Sequence, residues 1–138
     1  MTHPLKLPCL SMSMLPSKQL VTGHENGDLV CWNTSTAKFS LILEAHRSKI
    51  NKMVFVAPKM LITASSDLTV KLFNIEDWQL IYYFELQRNA IDLIIDGNVL
   101  YIGVSEVGVE AYNIISRLYL GQAAEHNDDF RGMYLSPS

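Results

Sequence analysis

Met53-Val54-Phe55-Val56-Ala57-Pro58-Lys59-Met60-Leu61-Ile62-Thr63-Ala64-Ser65-Ser66-Asp67-Leu68-Thr69-Val70-Lys71-Leu72-Phe73-Asn74 is the stretch that decides the fold. It holds two short apolar runs, 53–57 and 60–64, and a third expected strand, 68–73, separated by Pro58-Lys59 and by Ser65-Ser66-Asp67. Asn74-Ile75-Glu76-Asp77 turns again before a fourth run, Leu80-Ile81-Tyr82-Tyr83-Phe84. Runs this short, rich in β-branched and aromatic types and bracketed by turn chemistry, read as strands and not as helices. Apolar residues fill consecutive positions instead of alternating, so each strand expects cover on both faces of its sheet. The stretch predicts a four-stranded antiparallel sheet held between two similar sheets.

The same grammar recurs along the chain. Heads at His3, His46, Gln87 and His126 are spaced 43 (46 − 3), 41 (87 − 46) and 39 (126 − 87) residues apart. Four and seven positions after each head stand Leu7 and Leu10, Ile50 and Met53, Ile91 and Ile94, Phe130 and Met133. Nine positions on come Met12, Phe55, Asp96 and Leu135, so the third copy breaks the pattern once. Glu25-Asn26-Gly27 is a strong tight-turn signal in the first copy, and Ser105-Glu106-Val107-Gly108 takes its place in the third. Trp32-Asn33, Phe73-Asn74 and Tyr112-Asn113 close the third strand of each unit. Such a period signals stacked units, none of which can bury its faces alone.

These residues resemble the WD-repeat β-propeller family, in which a repeat opens on Gly-His, ends on Trp-Asp and supplies a four-stranded blade. Ala45-His46 and Glu125-His126 are similar to the opening element and Trp32-Asn33 to the closing one, while the run from Ser65 to Asn74 is similar to the most recognisable segment. The resemblance implies an all-β, incomplete propeller. Three four-stranded antiparallel blades, at about 2–45, 46–86 and 87–125, are followed by one extra strand, the start of a fourth blade at 126–138, in an open arc and not a closed ring. Closed propellers hold about 4–8 blades, so the outer faces of the first and third units would be bare. The chain then reads first as an isoform or gene-model fragment of a larger propeller protein, and second as a unit completed by another subunit.

The family's structural hydrogen-bond network carries over in part. His3, Thr22 and Trp32 fit in the first unit, with Asn26 in place of the aspartate; His46, Thr63 and Asp67 fit in the second, with Phe73 in place of the tryptophan. Gln87, Ile102, Glu106 and Tyr112 leave almost none of it in the third. The family's peptide-gripping loops correspond here to Glu25, Arg47, Ser48, Lys49, Ser66, Arg88 and Ser105, for each of which a solvated loop residue is the alternative reading. Trp78, at the turn into the fourth strand, is either a rim anchor for a partner or a ring packed on a neighbouring strand.

The remaining composition narrows the chemistry. A net charge of −3 and the lack of a basic run give no electrostatic drive toward nucleic acid. No stretch approaches eighteen apolar residues, and Pro4, Pro8 and Pro16 interrupt any signal-like start, so the expected setting is cytoplasmic or nuclear. Cys9 and Cys31 read as buried reduced thiols. The four histidines lack ligand spacing, His24 standing alone in a strand-to-turn segment, so neither metal nor cofactor is expected. No activated-nucleophile or phosphate-cradle motif is present, and Asp128-Asp129 reads as loop charge. The expected function is a non-catalytic protein–protein interaction scaffold binding proteins or peptides. A ubiquitin-ligase substrate receptor is the alternative, although Ser35, Glu76 and Ile115 stand where many such receptors carry a basic residue. A chromatin- or nucleic-acid-associated propeller is the third reading.

Overall fold

A computed structural model of the chain describes residues 3–123. Met1, Thr2 and the expected start of a fourth unit at 126–138, including His126 and Phe130-Arg131-Gly132-Met133-Tyr134-Leu135, lie outside the described residues. The strands are β1 (Cys9–Met14), β2 (Gln19–His24), β3 (Asp28–Asn33), β4 (Lys38–Glu44), β5 (Ile50–Val56), β6 (Met60–Ser65), β7 (Thr69–Asn74), β8 (Leu80–Glu85), β9 (Ala90–Asp96), β10 (Val99–Val104), β11 (Gly108–Asn113) and β12 (Leu118–Ala123). They form three four-stranded sheets, β1-β2-β3-β4, β5-β6-β7-β8 and β9-β10-β11-β12, with every pair antiparallel. β1 packs beside β5 and β5 beside β9, so the first strands of the sheets line one side of an open propeller arc. Leu68, expected to begin a strand, instead occupies the preceding turn with φ +71°, and Cys9, expected to be buried like Cys31, is exposed at the start of β1.

Two apolar clusters hold the sheets face to face. Val21, Leu29 and Cys31 of the first sheet pack with Ile50, Leu61 and Phe73 of the second. Ile62, Leu72 and Phe84, on the other side of the second sheet, pack with Leu93, Leu100 and Ile102 of the third. Among the described residues only the middle sheet is covered on both sides, and its strand β6 is buried from Leu61 through Ser65. The alternation of side chains across a pleated strand therefore gives every sheet a leading face toward the next sheet and a trailing face toward the one before.

The end faces stay open among the described residues. On the trailing face of the first sheet Met12 and Met14 are 59% and 56% exposed. On the leading face of the third sheet Ile94 and Leu118 are 60% and 61% exposed. Apolar side chains in register across a sheet need cover from water, and the middle sheet shows what kind of cover fits: another sheet.

Each sheet carries two bulges at matching places, one in its first strand pair and one in its last. They correct the repeat register, in the first sheet as well as the third: Cys9 pairs with His24, Met12 with Thr22 and Met14 with Leu20, so these, and not Leu7, Leu10 and Met12, are the counterparts of Ile50, Met53 and Phe55. Ile50 pairs with Ser65 before the bulge and Met53 with Thr63 after it. In the third sheet Ala90 pairs with Val104 and Leu93 with Ile102, so Ala90, Leu93 and Ile95 are the counterparts of Ile50, Met53 and Phe55. The residues expected there, Ile91 and Ile94, are both 60% exposed, whereas Ala90 and Leu93 are buried. The cause is a loop one residue shorter: Glu85 and Ala90 enclose 86–89, whereas Glu44 and Ile50 enclose 45–49. With that deletion allowed for, Ile95 replaces Asp96 and the apolar pattern is unbroken.

Candidate interaction rim and its histidine network

In every sheet the turn between the second and third strands lies at the same end as the loop that leads into the first strand. The contact is made by backbone: the amides of Ala45 and His46 donate to the Gly27 carbonyl, Ser66 N–H to Lys49, and Ser105 N–H to Asn89. The seven rim residues singled out by sequence all belong to these loops. Glu25, Arg47, Lys49 and Arg88 are exposed, and Ser48, Ser66 and Ser105 are half-buried. Ser66 Oγ accepts from Asn51 Nδ2 at 3.1 Å, so that side chain is held in its own sheet. Arg88 pairs with Glu106, an exposed bridge worth at most about 1 kcal/mol. The rim is a polar edge of both charge signs.

Beneath the rim of the second sheet lies a closed set of hydrogen bonds. His46 meets Thr63 Oγ1 through Nε2 at 2.7 Å and Asp67 Oδ2 through Nδ1 at 2.9 Å. An ionised carboxylate only accepts, so Nδ1 carries the proton and Nε2 accepts the Thr63 hydroxyl. Asp67 accepts further from Arg47 N–H at 3.0 Å, Thr69 N–H at 3.0 Å and the Thr69 hydroxyl at 2.6 Å. Burial alone would raise the Asp67 pKa, but these donors, Thr69 first, together with His46 bring it down to about 2. Burial lowers the pKa of His46 against the pull of Asp67, keeping the ring neutral near pH 7. The network fixes the loop that carries Arg47, Ser48 and Lys49.

The first sheet departs from the expected pattern. Thr22 Oγ1 accepts from Trp32 Nε1 at 2.8 Å, and its histidine partner, at 2.7 Å, is His24. His24 Nδ1 donates in turn to the Pro8 carbonyl at 3.1 Å. His3, expected at Thr22, bonds instead to Asp28 Oδ2 at 2.8 Å and accepts from Leu5 N–H at 2.9 Å. The two imidazoles meet edge to face with centroids 4.7 Å apart. Asn26, in the aspartate position, donates to Asp28 Oδ2 at 3.0 Å, so the carboxylate has moved two residues along the turn. Thr22 and His24 share one face of a strand, and that two-residue spacing was the available signal. In the third sheet Ile102 is fully buried at the Thr63 position and supplies no hydroxyl.

Phe73 occupies the Trp32 position in the second sheet, opposite Leu61 as Trp32 is opposite Leu20. Trp32→Phe therefore fits sterically and removes one buried donor. Chemical denaturation should show stability lower by about 1–2 kcal/mol with an unchanged denaturant slope; an unmoved midpoint would mean that the indole N–H contributes nothing. Trp78 is half-buried against the cluster between the first two sheets. Among the described residues no group of three His, Cys, Asp or Glu side chains could hold a metal, and no helix is long and apolar enough to cross a membrane.

No family model matches the chain. Over 70 residues, 50% of its length, it is 37% identical to eukaryotic translation initiation factor 3 subunit I of Culex quinquefasciatus, and the match takes in 21% of that relative. The same subunit of Nematostella vectensis is 33% identical over 70 residues, 22% of its length. The chain thus spans well under two thirds of the curated relatives it matches. Among solved structures, the computationally designed protein Ika4 superposes with a TM-score of 0.79 at 16% identity, covering 91% of this chain and 78% of Ika4. Saccharomyces cerevisiae Sqt1 gives 0.77 at 15% identity, covering 84% of this chain and 35% of Sqt1. These likenesses concern the fold.

Proposed function

We propose that the chain is part of a WD-repeat protein that acts as a non-catalytic protein–protein interaction scaffold within a translation-initiation assembly in the cytoplasm. The observation that carries the reading is the 70-residue likeness to subunit I of translation initiation factor 3 in two species. The histidine–threonine–aspartate set beneath a polar rim supports it, since that set holds loops still without building any reactive group. In this reading the repeat units are about 2–45, 46–86 and 87–125, with another opening at 126. The bare faces meet further sheets of a longer form of the same chain or, as the lesser alternative, of another subunit. Partners are proteins or peptides gripped at the rim, where Arg47 and Lys49 stand exposed.

The test is capture of a tagged chain from cells, with quantitative mass spectrometry of the other subunits of translation initiation factor 3. Those subunits should be enriched over a control propeller. The double substitution Arg47→Glu with Lys49→Glu should reduce the enrichment roughly tenfold, as expected for an interface that loses charge complementarity, while leaving the melting temperature unchanged. A soluble chain that enriches none of them would remove the reading.

A further inference from the structure

The two inter-sheet interfaces differ at one position. Lys71 pairs with Thr63 across β6 and β7 on the trailing face of the second sheet, and its Nζ donates to the Ala45 carbonyl at 2.6 Å. Counting one sheet forward, Glu110 pairs with Ile102, the counterpart of Thr63. The counterpart of Ala45 is Leu86: the two follow Glu44 and Glu85, and their amides donate to Gly27 and Leu68, which hold the same place in their turns. A cation in the first interface is replaced by an anion in the second.

Glu110 and Leu86 line a hollow of about 440 Å³ between the second and third sheets, together with Glu85, Tyr112, Tyr119 and Gln122. An adjoining hollow of about 350 Å³ shares Glu85 and Tyr112 and is walled by Tyr82 and Phe84. Neither is lined by Lys or Arg among the described residues. The aromatic wall is continuous: ring centroids lie 5.1 Å apart for Tyr82 and Phe84, 4.1 Å for Phe84 and Tyr112, and 5.2 Å for Tyr112 and Tyr119. The Tyr112 hydroxyl donates to Glu110 Oε1 at 3.3 Å. Burial, and then Glu110, push its pKa up to about 12, so it stays a donor. At one end of the wall the Arg117 guanidinium already lies over the Tyr82 ring, 4.7 Å from its centroid.

We infer that this cleft receives an arginine side chain from a partner polypeptide, its guanidinium set against the Glu110 carboxylate and stacked on the tyrosine wall. Three observations converge on that occupant. Glu110, opposite Ile102 on the face that meets the second sheet, brings a carboxylate to the cleft, a bidentate match for a planar fork. The aromatic faces attract a cation, and Arg117 shows the wall in use by one. The preceding interface shows a cation at the same register position. The cleft lies between sheets that the chain itself supplies, so the inference does not depend on the assembly proposed above.

The test is a nuclear magnetic resonance titration of the full chain with N-acetyl-arginine methylamide, the neutral citrulline analogue serving as control. Saturable shifts should appear at Leu86, Glu110, Tyr112 and Tyr119, with citrulline at least about tenfold weaker. Glu110→Gln should weaken arginine binding about tenfold. Glu110→Lys, which restores the ammonium of the preceding interface, should abolish binding and raise the melting temperature. Absence of shifts, shifts confined to other residues, equal binding of citrulline or indifference to Glu110→Gln would each overturn the inference.

Discussion

Gly27→Ala is expected to be the most damaging single-methyl change in the chain, lowering stability by about 3 kcal/mol or more. Gly27 sits in the β2–β3 turn at φ +96°, a region that side chains enter at a cost of about 1–2 kcal/mol. A Cβ there would also stand 2.1 Å from the His46 carbonyl oxygen and 2.9 Å from that of Ser48. Both are backbone atoms of the loop leading into β5, and neither can swing aside as a side-chain tip would. Relief requires the turn and the loop to part, which stretches the bonds from Ala45 and His46 to the Gly27 carbonyl. Forced shifts of this kind add about 1–3 kcal/mol. Gly97→Ala is the matching control. Gly97 has φ +61° but nothing within 4 Å of its Cβ position, so it should lose only about 1–2 kcal/mol. Equal losses at the two sites, measured by equilibrium denaturation, would show that the close approach at Gly27 is not felt.

Asp67→Asn should cost about 2–3 kcal/mol at neutral pH and change how stability depends on acid. Asp67 accepts from four donors, and an amide in either orientation turns its NH2 toward N–H or O–H groups that need an acceptor. The folded pKa is held at about 2, below the ordinary 3.8 of an aspartate. The folded state therefore binds fewer protons than the unfolded chain between those values, and stability falls as pH is lowered. The contribution is whole above pH 3.8 and is lost as the pH falls through about 2. His46, lowered by burial, has the same sign and acts earlier, from pH 6.5 downward. The wild-type chain should thus weaken in two stages on acidification, and Asp67→Asn should lack the second. A variant that keeps the steep fall below pH 4 would assign that fall to other carboxylates.

The strands and their turns were legible because each run is too short for a helix and is closed by a residue with a defined turn habit. Glu25-Asn26-Gly27 and Ser65-Ser66-Asp67 mark the two turns whose backbone anchors the rim. A fixed repeat offset failed at the first head, by two residues, and at the third, by one. Ile91, Ile94 and Ile95 are all apolar, so the composition of β9 could not reveal that one residue is missing before it; only pairing to β10 fixes which of them point inward. His24 was passed over for a related reason. Histidines at the heads of the first, second and fourth copies follow the period, and they mask the strand's own two-residue alternation, which sets His24 beside Thr22. The exchange of Lys71 for Glu110 was equally out of reach, because it acquires meaning only when the residues opposite each are known.

Among the described residues the middle sheet is walled on both sides while each end sheet has a single wall, and cooperativity follows from that count. Removing an end sheet deletes one interface; loosening the middle one deletes both and leaves two strangers. The three described sheets are in effect a three-spin chain, whose ends fray first and whose centre melts last. Any ligand that clamps an end sheet, at either bare face, therefore shifts the weakest link of the array without touching its strongest.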